Sequence, residues 1–198
     1  MFPLFTIFLT FIVVLNITLH RQRRTQEAAD KEFWDKELAA NNTRRQDIEH
    51  LDYITIPEGL IPQTLGTDSE KELAALSAEK LLNLTDQSNT DLKLKYGVAN
   101  LETLSRYEDN FTRYVALVPI YAAELADSGD RDSAKALLEH AVLNRADSCQ
   151  VYTRLAGLYC EDGQISRAKE LLTRAKALDS ISGRIITDKL QQLIDAQP

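Results

Sequence analysis

The feature that most constrains the fold is internal self-similarity in the C-terminal half of the chain, where residues 149–182 repeat the pattern of residues 115–148. We call the shift from one copy to the next, as from position 115 to position 149, one repeat length. The copies share residues at five sets of corresponding positions, namely Ala122 and Ala156, Gly129 and Gly163, Ala134-Lys135 and Ala168-Lys169, Leu137-Leu138 and Leu171-Leu172, and Ala141 and Ala175. A repeated unit of about 34 residues is typical of a helix–turn–helix hairpin. The pattern predicts two stacked helical hairpins and therefore an all-α fold.

Each shared position has a physical reason in such a hairpin. We expect Ala156 and Ala168 to face each other where the two helices approach most closely, because larger side chains would force the helices apart. Gly163 is predicted to lie in the turn, where a positive φ is needed. Larger apolar side chains are predicted to fill the joint between neighbouring hairpins, at Tyr152, Leu155, Tyr159, Leu172 and Ala175.

At these positions the chain resembles the tetratricopeptide repeat (TPR) family, whose period is about 34 residues. The resemblance covers about 115–196 and implies an α-solenoid with repeats at 115–148 and 149–182. The first copy departs from the family pattern, because Arg131 replaces an apolar turn residue and Pro119 falls early in its first helix. Since proline is tolerated in a first helical turn, we expect that helix to start or kink close to Val118.

The resemblance also implies a binding surface, because the first helices of stacked hairpins line a concave face that receives an extended peptide or a helix. The residues that would line it are Ala116, Pro119, Ala123, Asp127, Gln150, Thr153, Arg154, Gly157 and Glu161. Family members that clamp a terminal carboxylate carry Lys and Asn where this chain has Thr153 and Gly157, so that clamp is not expected. The implied partner is a protein or peptide.

The two ends of the repeat array need covering. Ser180 and Ser182 can cap a final helix within 183–198, in which Ile186, Leu190, Leu193 and Ile194 form one apolar stripe. At the other end, residues 68–114 are predicted to form a divergent helical hairpin, with Leu73, Leu76, Lys80, Leu81 and Leu84 on one helical face.

An uncharged run over 2–19 lies near the N-terminus and is followed directly by Arg21-Gln22-Arg23-Arg24. Its length predicts a transmembrane anchor over 1–20. A cleaved signal peptide is the alternative, but no basic residue precedes the run and no small-residue cleavage site follows it. The flanking arginines place the N-terminus outside and the residues after 20 in the cytoplasm, in a single-pass protein of the cell membrane. Together with Phe33-Trp34, the Leu51–Pro57 segment and the repeats, the run gives a resemblance to small bacterial single-pass membrane proteins.

Residues 21–48 form a basic flank and a helical stalk in this interpretation. The charged stretch from Thr25 to Asn41 lacks Gly and Pro, and Asn41-Asn42-Thr43 is predicted to break the helix. Phe33, Trp34 and Leu38 are too few for a sustained heptad, and Trp34 is expected to pack on the domain.

Residues 49–67 are predicted to be an extended linker, because 51–62 is β-branched, aromatic and punctuated by two prolines. Two hypotheses stay open for 51–62. The segment either occupies the binding groove as an internal ligand or braces the helical domain as a strap.

Charge and motif content argue against other classes of function. Residues 1–24 contain three arginines and no acid, so the rest of the chain is strongly acidic and should not attract nucleic acid. His20, His50 and His140 are isolated, and neither a zinc-binding spacing nor a phosphate-binding or nucleophile motif is present. Cys149 and Cys160 are too far apart on one helix to form a disulfide. We therefore predict no enzyme, and no catalytic, cofactor-binding or metal-binding residues.

The function predicted from the sequence is a membrane-anchored, protein-binding adaptor or scaffold. A self-oligomerising structural membrane protein is the first alternative, and an enzyme without a recognisable motif is the second.

Overall fold

The computed structural model describes residues 2–178 and 180–196, with the side chains of Phe2, Pro3, Leu4 and Thr6 outside the description. The described residues form eight α-helices: α1 Phe2–Asn41, α2 Asp68–Leu76, α3 Asn89–Tyr96, α4 Leu101–Asp127, α5 Arg131–Leu143, α6 Cys149–Glu161, α7 Ile165–Lys176 and α8 Ile181–Asp195. A 3₁₀ turn, Val98–Asn100, precedes α4. The predicted all-α class is confirmed.

The transmembrane prediction is wrong in this structure. No helix over the described residues is long and apolar enough to cross a membrane. The apolar stretch with described side chains runs from Ile7 to Leu19, which as a helix spans about 20 Å, whereas a membrane span needs about 20 residues and about 30 Å. The rest of the predicted anchor, Phe2 to Thr6, lies largely outside the described side chains. The anchor over 2–19, its orientation and the single-pass placement in the cell membrane are corrected accordingly.

The chain divides into two compact units, and the first comprises Met1–Ile48 and Gln87–Leu101. Within it, α3 packs against the C-terminal part of α1. Lys36 Nζ lies 2.8 Å from Asp91 Oδ1, and Glu37 on α1 pairs with Lys93 on α3. Asp91 also closes a capping box with Ser88 at the start of α3. The Lys36 ammonium, followed by the Ser88 contacts, lowers the pKa of Asp91 to about 2.

Two details of α1 bear on the sequence predictions. The helix ends at Asn41, so the predicted break at Asn41-Asn42-Thr43 is confirmed. Trp34 is 65% exposed and makes an edge-to-face contact with Phe33 at a ring-centroid distance of 5.4 Å. The expectation that Trp34 packs on a domain is therefore wrong.

The second unit comprises Glu49–Asp86 and Glu102–Pro198, and its core contains the strap, the segment 51–62. Ile54, Ile56 and Ile61 of the strap are buried in that core. Ile54 N–H donates to the carbonyl of Leu81 at 2.9 Å, an isolated antiparallel bridge. Helix α2 ends at Leu76, so the predicted helical face extending to Leu84 is wrong. Leu81 and Leu84 lie in irregular backbone, and their side chains are nevertheless buried.

Helix α4 is the longest helix of the second unit. It begins at Leu101 and holds Pro119 in its interior. A helix start near Val118 is therefore wrong, and the alternative, a kink there, stays a prediction. Its apolar stripe buries Leu104, Phe111, Tyr114, Val118 and Tyr121. Because these residues recur at spacings of three, four and seven, one face of α4 packs into the core along almost its whole length.

The C-terminal helices form the hairpins that the repeat predicts, α4 with α5 and α6 with α7. Gly129 and Gly163 lie in the two connecting turns with φ of 96° and 71°, so the predicted positive φ at Gly163 is confirmed. Ala156 and Ala168 are fully buried. Helix α8 packs against α6 and α7, is capped by Ser180 and buries Ile186, Leu190 and Ile194, as predicted for a terminal capping helix.

Candidate protein-binding face

The nine residues predicted to line a groove lie on two helices of the second unit. On α4, Ala116 and Asp127 are exposed, Ala123 is half-buried and Pro119 is buried. On α6, Gln150, Arg154 and Glu161 are exposed, and Thr153 and Gly157 are half-buried. All of them except Pro119 therefore reach the surface, and we call this set, without Pro119, the first-helix face. Whether a partner binds there stays a prediction.

Helix α8 adds a third row of exposed side chains that the sequence prediction omitted. Arg184, Asp188 and Gln191 each follow a residue of α6, namely Gln150, Arg154 and Gly157, by one repeat length, and all three are exposed. Since α8 packs against both helices of the preceding hairpin, it holds the position that the first helix of a third hairpin would take. Continuing the repeat count past residue 182 would have revealed this row.

Gly157 is the position on this face that the fold itself does not explain. It lies inside α6, where glycine costs roughly 1 kcal/mol relative to alanine. A Cβ atom at Gly157 would meet no described atom within 4 Å. Internal packing therefore does not demand glycine here, and the backbone of α6 is open to close approach from outside.

Glu161, at the C-terminal end of the face, is already engaged by a charge partner. Arg131 Nη2 at the start of α5 lies 2.9 Å from Glu161 and 2.8 Å from Asp162. Lys135 Nζ lies 2.7 Å from the other oxygen of Asp162. The Lys135 hydrogen bond lowers the pKa of Asp162, and the Glu161 hydrogen bond raises the pKa of Arg131. The arginine that departs from the repeat pattern therefore ties one hairpin to the next.

The strap is bonded to α4 and α5 through its backbone. The Tyr121 hydroxyl donates to the carbonyl of Pro62, and Tyr121 is fully buried. His140 Nε2 lies 3.1 Å from the carbonyl oxygen of Thr55, and His140 Nδ1 lies 2.6 Å from the Tyr114 hydroxyl. Tyr114, Tyr121 and His140 are not members of the first-helix face. These contacts favour the brace hypothesis for the strap over the internal-ligand hypothesis.

Buried polar contacts also fix the turn that joins the strap to α2. Glu70 is 5% exposed, and its carboxylate accepts hydrogen bonds from the backbone N–H groups of Thr64, Leu65 and Gly66. Chiefly because of the Leu65 hydrogen bond, the pKa of Glu70 is lowered. Ser69 donates to Glu124 of α4. The turn is thereby held in one geometry at the edge of the core.

The described residues also form a cavity, which we call the α5–α7 cavity, with a volume of about 200 Å³. Three helices line it: Glu139, Val142 and Leu143 of α5, Leu155 and Tyr159 of α6, and Arg167, Glu170, Leu171 and Arg174 of α7. The sequence prediction did not identify it, because it depends on how three helices pack rather than on any local pattern.

Both cysteines lie on α6 and are free, as predicted. Burial raises the pKa of the Cys160 thiol, which disfavours the reactive thiolate.

Comparison of the chain with protein-family models, with curated proteins and with solved structures gave no match.

Proposed function

We propose that this protein is a protein-binding adaptor that receives a peptide or helix of its partner on the first-helix face, extended by the exposed row on α8. The proposal joins two supports. One is the resemblance of 115–196 to tetratricopeptide repeats, which bind partners on their first helices. The other is the arrangement of α4, α6 and α8 as successive first helices, each one repeat length after the last.

The observation that carries the proposal is Gly157. A glycine in the middle of a helix lowers the stability of that helix. No contact inside the protein requires glycine at this position. Close approach of a partner's backbone or a bulky side chain supplies a reason for it, because even a methyl group would lie between α6 and the ligand. Ala123, one repeat length earlier, leaves the same place nearly as open on α4.

The charges on the face restrict the partner. Arg154 and Arg184 are exposed basic groups, and Asp127 and Asp188 are exposed acidic groups, so a strongly charged partner of either sign would meet repulsion. A partner segment with mixed or no charge and at least one side chain that packs against the Gly157 backbone fits this surface best.

The test uses a photo-crosslinking amino acid in the full-length chain. Placed at Ala123 or Arg154, the crosslinker should capture one and the same partner in cells that make the protein. Placed at Ala136, an exposed alanine on the second helix of the first hairpin, it should not capture that partner.

Gly157→Leu provides the second arm of the experiment. Because its side chain would enter open space, the variant should fold as the wild type does and lose the crosslinked partner. Equal capture from Ala136, or undiminished capture in Gly157→Leu, would show that the first-helix face is not the binding site.

A further inference from the structure

The α5–α7 cavity plays no part in the proposed function, and its apolar lining and its size suit it to binding a side chain. Val142, Leu155 and Leu171 form an apolar floor and are all buried. Its volume of about 200 Å³ compares with about 30 Å³ for one water molecule in the liquid. The cavity therefore has room for an apolar side chain.

An apolar side chain stands beside this cavity on the same surface. Leu143, the last residue of α5, is 64% exposed and lines the rim. A single exposed leucine is ordinary on a protein surface. An exposed leucine next to an apolar cavity makes the surface self-complementary, since it offers both a projection and a recess.

The rim of the cavity also carries both an acidic and a basic side chain that could pair with those of a second copy. Glu139 is occupied, because it accepts a hydrogen bond from the Tyr159 hydroxyl at 2.6 Å and lies 3.4 Å from Arg167. Glu170 and Arg174, one turn apart on α7, are both exposed, and neither forms an ion pair with another residue that the structure describes. The rim thus presents one unpaired acid and one unpaired base.

We propose that this surface binds a second copy of the same chain about a two-fold axis. Leu143 of each copy enters the α5–α7 cavity of the other, and Glu170 of each faces Arg174 of the other. A two-fold interface requires a surface that complements itself, which is the property that both the leucine and the charge pair supply.

The charges of the rim disfavour a strongly basic or a strongly acidic partner. A basic segment would leave Arg174 opposed by like charge, and an acidic segment would leave Glu170 opposed. Because the whole chain carries a net charge of −7, two copies repel each other in general. At a locally neutral rim they can approach at a low electrostatic cost.

The experiment measures the dissociation constant of the full-length chain and of its variants by sedimentation under the same conditions. Arg174→Glu and Glu170→Arg should each raise the dissociation constant by about tenfold or more, because each places like charges opposite one another. The double variant, Glu170→Arg with Arg174→Glu, should return it toward the wild-type value.

Leu143→Ser should weaken the dimer by a similar factor, while Ile185→Ser, a matched change at a half-exposed isoleucine on α8, should leave it unchanged. A wild-type chain that stays monomeric at the highest concentrations reached would overturn the proposal. Association that is equally strong in Leu143→Ser and in both charge reversals would overturn it too, because the contact would then lie elsewhere. Neither result bears on partner binding at the first-helix face.

Discussion

Glycine occurs inside two helices of the second unit, and its surroundings differ at the two positions. A Cβ atom at Gly183, in the first turn of α8, would lie 2.6 Å from the carbonyl oxygen of Leu178, which is backbone and cannot move aside. At Gly157 a Cβ atom would enter open space. One glycine is therefore required by the fold, and the other is not.

Paired alanine substitutions should separate these two roles. Gly157→Ala should raise the free energy of unfolding by roughly 0.5–1 kcal/mol, since alanine is the better helix former. Gly183→Ala should lower it by about 1–3 kcal/mol, as overpacked positions do. Urea denaturation followed by circular dichroism measures both values. A loss of stability in Gly157→Ala would mean that the position is packed and would remove the main support for the proposed binding face.

His140 is the titratable side chain that joins the strap to two helices. The carbonyl oxygen of Thr55 can only accept, so His140 Nε2 carries the proton and Nδ1 accepts from the Tyr114 hydroxyl. This arrangement satisfies the neutral ring. Burial, opposed by the Thr55 hydrogen bond, lowers the pKa of His140 below its ordinary value of 6.5.

The free energy of unfolding should therefore fall as the pH is lowered from 7 toward 5. The unfolded chain takes up a proton near pH 6.5 while the folded chain resists it, so stability is lost below that pH, with a slope of at most about 1.4 kcal/mol per pH unit. In His140→Gln this part of the pH dependence should vanish. Carboxylates whose pKa is lowered by folding, such as Glu70 and Asp162, lose their contribution only at more acidic pH. An unchanged profile in His140→Gln would show that another group titrates.

At the scale of elements, the strap is a structural member of the second unit. It contributes three isoleucines to the core, and two of its backbone carbonyls contact the buried Tyr121 and the half-buried His140. An internal ligand of the first-helix face would have to leave that face when a partner arrives, and the strap's observed contacts lie instead in the core.

Ile56→Ala should therefore lower the free energy of unfolding by about 2–5 kcal/mol, the usual cost of truncating a buried isoleucine. Glu58→Ala, two positions further along and exposed, should change it little. Thermal and urea denaturation give both values. If Ile56→Ala instead left stability intact and increased partner capture, the strap would be an inhibitor rather than a brace.

Sequence patterns correctly predicted those helices and turns that are determined by residues close together in the chain. The internal repeat predicted the α6–α7 hairpin and its turn glycine, and apolar spacing predicted the buried stripe of α8. The first-helix face could be proposed only from the family resemblance.

Contacts that join distant segments could not be predicted. Lys36 on α1 pairs with Asp91 on another helix, 55 positions further along the chain, and no local pattern indicates that contact. Ile54 likewise finds its partner at Leu81, where helical spacing had suggested a helix. The α5–α7 cavity could not be predicted for the same reason, because it forms only where three helices pack together.

At the scale of the whole molecule, the N-terminal part of α1 contributes nothing to the described core. The buried apolar side chains begin at Ala40, whereas Phe5, Phe8, Phe11 and Trp34 are more than half exposed. Exposed apolar surface of this extent promotes non-specific association. Removing it should cost no internal packing.

Deleting residues 2–20 should therefore leave the thermal unfolding midpoint of the second unit within about 1 °C of that of the intact chain, because large shifts come from changes in buried contacts. Binding of a fluorescent apolar dye to the folded protein should decrease. Circular dichroism and dye fluorescence test the two parts. Deleting 51–62 provides the contrast and should lower the midpoint clearly. A large drop on deleting 2–20 would mean that these residues pack against the core.

The placement of the strap also has a consequence for biosynthesis. Ile54, Ile56 and Ile61 leave the ribosome before α4 and α5, the helices that hold the buried partners of this segment. At ordinary elongation rates the interval is on the order of ten seconds. During that interval the nascent chain displays these three isoleucines unshielded, and hydrophobic surface that is exposed before its partners are made is prone to aggregate.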